Sequence, residues 1–458
     1  MSSETWTVEA LQRELAAGRT SSRELVEQSL ARIADPAGEG ARAFMKVYAE
    51  PARADAEHAD RLRKAGVRRS AVDGLPISVK DLFDVAGDVT RAGSKVLAGA
   101  TAAAADAPTI ARLRAAGAVI VGRSNMVEFA FGAVGTNPHF GTPKNPWDRK
   151  TGRVPGGSSS GAAVSVADGM VVMGLGTDTR GSIRQPAALC GIAGFKPTAR
   201  RVSRQGAFPL SFTLDSIGPL ANTVSCCAVY DAILAGEPDA ALPEFSARGL
   251  RLLLPRSSAI EDLDPAVAKA FDAALAALSR AGAAIEERKV AAFDRQAEYF
   301  KNGGFAAAEA YAIHKRWLNR ADDYDPRVAK RVVLGKDIAG WELVELGLMR
   351  DAYMAEIGAL MAPFDAFLAP TSPCVAPTIA EASASDDAYF RWNGRILRNT
   401  GLVNFLDGCA ATVPCHAKGE PPVGLMVSGV AMADRHVLAV ARAVEGVLAA
   451  EAAPAARA

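Results

Sequence analysis

Cysteine and histidine are scarce in this chain of 458 residues, with 6 of the first and 5 of the second. Cys190, Cys226, Cys227, Cys374, Cys409 and Cys415 form no Cys-x-x-Cys, and neither they nor the histidines stand at metal-ligand spacing. No metal is expected, and reduced, buried thiols of a cytoplasmic protein are the simplest reading. Charge of one sign is missing too: Lys+Arg 52 against Asp+Glu 51 leaves +1, which supplies no pull towards nucleic acid or an acidic membrane. Long apolar runs are also absent. The longest, residues 162–176, is broken by Asp168 and too short to cross a bilayer. Met1 to Trp6 carries no basic region leading into an apolar core, so no secretory signal is expected. Without a dinucleotide fingerprint or P-loop, no cofactor is expected either.

What remains is an ordinary globular composition, 49% hydrophobic and 22% charged. Length alone gives a prior of about three domains, but enzymes built on one large sheet pass that length without a second core. Short apolar runs near Gly or Pro, at residues 75–79, 118–121, 171–175, 250–254, 367–368 and 423–427, read as buried strands. The more polar 284–290 reads as an edge strand. Helical patterns occupy 108–116, 223–234, 265–281, 341–360 and 436–448, and Thr7 and Ser21 or Ser22 are N-cap candidates for two more near the start. Such alternation predicts an α/β sheet covered by helices on both faces. Residues 132–160, rich in Gly, Pro, Asn and Ser, form a long irregular stretch, and Phe140 and Trp147 within it argue for order.

Three features carry chemistry. Residues 75–81, LPISVKD, are an apolar strand ending in Lys80. That lysine is either a solvated strand terminus or a desolvated amine usable as a base. Residues 155–161, PGGSSSG, read as a flexible linker by composition, but they lead straight into the small-residue run AAVSVA. In residues 174–187, GLGTDTRGSIRQPA, a strand enters a tight loop with Ser182 before the next helix. Ser182 there is an N-cap, or the loop aims several N–H groups at one point, as an oxyanion hole requires.

Taken in order, GLPISVKD, NPWD, PGGSSSGAAVSVADG, GTDTRGSIRQPA and GFKPT resemble the amidase signature family, from the N-terminal helices to residues 422–427. The resemblance implies an α/β fold with a single large mixed, mostly parallel twisted sheet. It implies one domain over 1–458, with 1–60 as its N-terminal helical part and 449–458 as a flexible tail. It implies an amidase that cleaves a C–N amide bond through an acyl-enzyme, with Ser182 as nucleophile, Ser158 as bridging serine and Lys80 as base. A cis Gly157–Ser158 peptide belongs to the same pattern, and the backbone amides of Thr179, Arg180, Gly181 and Ser182 match the oxyanion loop. Met126, Phe129 and Phe131 line an acyl pocket by family analogy, or else pack in the core. One departure stands out: Arg180 occupies a position where the family often has Gly, and a requirement for positive φ there would strain it.

The expected partner is a small-molecule amide, without nucleic acid or membrane, and a homodimer is left open. Three other readings compete. One is the glutaminase subunit of a tRNA-dependent amidotransferase. Arg180, the apolar Met126, Phe129 and Phe131, and residues 207–210 weigh towards a free-standing hydrolase instead. A second is an α/β-hydrolase esterase, since residues 157–161 satisfy G-x-S-x-G with Ser159 as nucleophile and His416 or His436 as base. The third is a non-catalytic scaffold, against which all three triad residues are present. His139 reads as a satisfied loop histidine.

Overall fold

The computed structural model describes residues 6–238 and 241–452. Its strands are β1 (Phe44–Val47), β2 (Pro76–Lys80), β3 (Val119–Ser124), β4 (Met173–Asp178), β5 (Ala193–Lys196) and β6 (Ser216–Ala221), then β7 (Arg251–Arg256), β8 (Ala284–Lys289), β9 (Ala366–Pro370), β10 (Cys409–Pro414) and β11 (Gly424–Gly429). All belong to one sheet in the order β1-β3-β2-β4-β6-β5-β10-β11-β9-β7-β8.

The sheet is mixed, as expected, but not mostly parallel. Six neighbouring pairings are antiparallel and four are parallel. The reason lies in the connections. Parallel neighbours need a crossover, and the helices Pro108–Ala115 and Pro265–Arg280 supply it for β2–β3 and β7–β8. In the middle of the sheet β5 reaches β6, and β10 reaches β11, through loops without a crossover α-helix, which leaves those pairs antiparallel.

Successive side chains of a strand face opposite ways, and here both faces are apolar. Ile77, Val79, Leu175, Leu252, Leu368 and Leu425 point to one core, shared with Tyr230, Phe271 and Val437 of the covering helices. On the reverse face Val119, Val121 and Leu220 meet the helix Ser160–Ala167. Further along that face Leu253, Phe367 and Met426 meet Tyr353 and Ile357 of the helix Gly340–Met361. Burying both faces explains why most strands read as unbroken apolar runs. β8 is the exception: its Glu286, Glu287, Arg288 and Lys289 lie at the sheet edge, where charge discourages pairing with another chain.

Thr7 and Ser21 cap the first two helices, Val8–Ala16 and Ser22–Ala34, the second through a capping box with Glu24. The N-terminal part is not purely helical, because β1 falls within it. Of the expected tail, residues 449–452 continue the helix Asp434–Ala452, and 453–458 lie outside the described residues. Residues 1–5, read above for a secretory signal, also lie outside them. No helix among the described residues is long and apolar enough to cross a membrane.

Candidate active site

β2 and β4 run parallel in the sheet, Val79 beside Leu175, so Lys80 and Thr177 emerge at the same carboxyl end. Lys80 is fully buried, and its Nζ meets Ser158 Oγ at 2.7 Å, Ser159 Oγ at 3.0 Å and Thr177 Oγ1 at 2.9 Å. Burial lowers the lysine to about 7, against the pull of Asp215 and Asp178 that favours its charged form. A neutral amine there keeps one lone pair, so one of the three hydroxyls can donate to it rather than accept.

The peptide Gly157–Ser158 is cis, and Ser158 stands just before the helix Ser160–Ala167. Two contacts hold this segment: Val127 N–H donates to Ser158 O at 3.0 Å, and Ser159 N–H to Ser182 O at 3.3 Å. The second ties the Ser158 segment to the Ser182 loop. Gly161 permits the close approach of the helix, since a Cβ there would sit 2.2 Å from Ala43 O and 2.5 Å from Asn125 N.

The Ser182 loop is shaped from beneath by Asp178. This buried carboxylate accepts from Gly181 N at 2.7 Å and Ile183 N at 3.1 Å, and takes a two-pronged contact from Arg184, Nη2 at 2.9 Å and Nε at 3.1 Å. Burial pushes Asp178 up, but Arg184 and Lys196 outweigh it and hold the acid at about 2. The glycine the loop needs is Gly181, at φ 138°, where a Cβ would lie 2.3 Å from Thr400 Oγ1. Arg180 does not have positive φ, so the strain considered for it does not arise.

One expected member of the oxyanion loop is corrected by this geometry. The Gly181 N–H is committed to Asp178 rather than to the site. The N–H groups of Thr179, Arg180 and Ser182 have no acceptor among the described residues. The apolar trio also divides. Phe131 lines a cavity of about 20 Å³ together with Ser182, Thr179, Arg180, Leu210 and Arg331. Met126 packs against Gly93, and Phe129 against Phe208, His314 and Tyr324, so both belong to the core. Larger surface clefts of about 590 Å³ lie elsewhere and contain neither the lysine nor the serines.

Ser159 lacks the surroundings of an esterase nucleophile. No strand leads directly into residues 157–161, and the Ser159 Oγ bonds Lys80 and, at 3.5 Å, Thr177 O. His416 sits beside Val423 O and His436 beside Asp365, neither bonded to Ser159. His139 pairs with Glu128 at 3.1 Å, as a loop histidine does. Thr177, Asp178, Arg184 and Arg331 went unassigned in the sequence. The first three stand inside the GTDTRGSIR motif, which was the available signal; Arg331, in the helix Pro326–Val333, gave none.

Comparison with known proteins bears on the family of the chain. The family model described as Amidase matches residues 24–438. The chain is 36% identical over 405 residues to 2-amino-5-chloromuconic acid deaminase of Comamonas testosteroni, covering 87% of this chain and 86% of that one. It is 46% identical over 284 residues to a Glutamyl-tRNA(Gln) amidotransferase subunit of Anaeromyxobacter dehalogenans, 59% of this chain and 57% of that one. Among solved structures, an amidase crystal structure superposes with a TM-score of 0.85 at 31% identity, covering 96% of this chain and 99% of that one.

Proposed function

The chain belongs to the amidase signature family of C–N hydrolases, and from that premise we propose that it works through a Lys80–Ser158–Ser182 relay. The observation that carries this is the 2.7 Å contact between Lys80 Nζ and Ser158 Oγ around an amine lowered to about 7. Neutral Lys80 takes the proton of Ser158, and Ser158 takes that of Ser182, as Ser182 Oγ bonds to the amide carbonyl carbon. The N–H groups of Thr179, Arg180 and Ser182 receive the charge gathering on the carbonyl oxygen. When the C–N bond breaks, Ser158 returns a proton to the departing nitrogen and is resupplied by Lys80. Water then attacks the Ser182 ester by the same relay and releases the acid. A small-molecule amide in the cytoplasm is the expected setting, in keeping with six unpaired cysteines.

The deaminase relative brings ammonia into the range of leaving groups. A second reading, a glutaminase subunit, is favoured by the 46% identity to the amidotransferase relative. The purified chain, without a partner, decides between them. It should hydrolyse a simple amide, and Ser182→Ala should lower kcat by on the order of 10⁴-fold or more. Turnover confined to glutamine in the presence of a second subunit would favour the amidotransferase reading. Undiminished turnover in Ser182→Ala would refute the relay.

A further inference from the structure

Two buried carboxylates pull on Lys80, and they are held in different ways. Asp178 is neutralised by Arg184, which meets it at 2.9 Å. Asp215 forms no ion pair among the described residues. Its partners are three neutral donors: Thr179 Oγ1 on Oδ1 at 2.5 Å, and the N–H groups of Leu210 and Ser211 on Oδ2 at 2.9 and 3.0 Å. All three give a hydrogen bond, which suits the charged carboxylate rather than the acid. Burial raises Asp215 from the ordinary aspartate value, and the three donors and Arg204 oppose that rise. Arg204 itself bonds the main-chain carbonyl of Asp215, at 3.3 Å, and not the carboxylate. Glu309, from the helix Gly304–His314, grips the same loop through Ser211 and Thr213. Asp215 and Thr177, which touches Lys80, line one cavity of about 190 Å³. Leu210 lines the cavity that holds Ser182. One carboxylate thus stands between the base, the oxyanion loop and the wall of the site.

We propose that Asp215 is a positioning residue of this site, acting through Thr179 on the oxyanion loop and through its charge on the Lys80 amine. This rests on the reading of Ser182 as the nucleophile, with the Thr179 N–H among its oxyanion donors. A threonine side chain is branched at Cβ and stiff about χ1. Holding its Oγ1 therefore holds the Thr179 backbone, and with it an N–H that has no acceptor among the described residues. An oxyanion donor works by standing ready before charge develops, so a donor free to turn contributes less. The charge of Asp215 has a separate effect. Arg184 cancels much of the field of Asp178, whereas no cation contacts the Asp215 carboxylate among the described residues. Asp81, next to Lys80, is likewise paired, with Arg123 at 2.7 Å, and Lys196 lies on the Asp178 side. The attraction of Asp215 therefore reaches the buried amine, favours the ammonium and offsets part of the effect of burial. Removing that charge lowers the pH at which Lys80 becomes a free amine. Removing the Thr179 hydroxyl does not.

The test follows the second-order rate at which a fluorophosphonate labels Ser182 of the full chain, from about pH 5 to pH 9. This probe draws on the base and the oxyanion loop and does not depend on the natural amide. In Asp215→Asn the acid limb should move to lower pH by about one unit. In Thr179→Val, which keeps the carboxylate, the limb should stay in place and the plateau rate should fall about tenfold. Thr179→Ser, which restores the hydroxyl, should recover most of the plateau. An acid limb of Asp215→Asn at or above the wild-type position overturns the proposal, as does a wild-type plateau in Thr179→Val. A loss that Thr179→Ser shares with Thr179→Val assigns Thr179 a merely structural role and overturns it too. If Asp215→Asn does not fold, the Thr179 pair decides alone. These outcomes with wild-type Ser182 labelled remove the role of Asp215 and leave the nucleophile in place. No label on wild-type Ser182 overturns the nucleophile reading beneath, and the proposal with it.

Discussion

A buried lysine among three hydroxyl oxygens is an uneconomical structural choice but a serviceable base. Its amine titrates near 7 because burial disfavours the ammonium more than Asp215 and Asp178 favour it. The sign of the pH effect follows. Above about 7 the lone pair is available; below it the amine is protonated and the relay stops, so kcat/KM should fall about tenfold per pH unit on the acid side. A pH–rate profile of the wild-type chain measures this, and a flat profile from pH 8 down to 5 would remove Lys80 from the base role. Much of this was legible at the residue scale. Lys80, Ser158 and Ser182 stood out once three motifs were taken together, although each alone had an ordinary structural reading. Their partners were less visible. Gly181 was expected as an oxyanion donor through the family resemblance, whereas its N–H donates to the Asp178 carboxylate beneath the loop. Arg331 could not be found, since it comes from a helix 149 residues after Ser182 in a segment with no motif.

β2, β3, β4, β7, β8, β9 and β11 were readable as elements, and β1, β5, β6 and β10 were not. β1 and β5 have four residues each, and β6 carries Gly218 and Pro219, which read as a turn in isolation. Tertiary pairing overrides that local signal, since β6 is held between β4 and β5. The helix Ser160–Ala167 shows the same dependence. Its small residues have no strong amphipathic pattern because every side is packed, and Gly161 in particular abuts the backbone of Ala43 and Asn125. Gly161→Ala should therefore force the helix outward, costing about 1–3 kcal/mol, and shift Ser158 away from Lys80. A lower urea midpoint together with reduced kcat is the expected result. An unchanged midpoint would mean that the neighbouring backbone yields without loss.

At the scale of the molecule, the α/β class and the single mixed sheet were legible, but its balance of parallel and antiparallel pairs was not. Periodicity reports which faces are buried, and both faces are, but it says nothing of strand direction. Direction depends on whether each connection carries a crossover helix, and the loops between β5 and β6 and between β10 and β11 do not. The resulting sheet sets the carboxyl ends of β2 and β4 side by side, so Lys80 meets Thr177, on the strand that leads into the Ser182 loop, although 97 positions separate them in sequence. On the proposed reading, Ser182 is the nucleophile of this site. Intact-protein and peptide mass spectrometry of the full chain after fluorophosphonate treatment tests it directly. One adduct per chain is predicted, located on Ser182, absent from Ser182→Ala and retained in Ser159→Ala. An adduct that persists in Ser182→Ala, or that maps to Ser159, would contradict it.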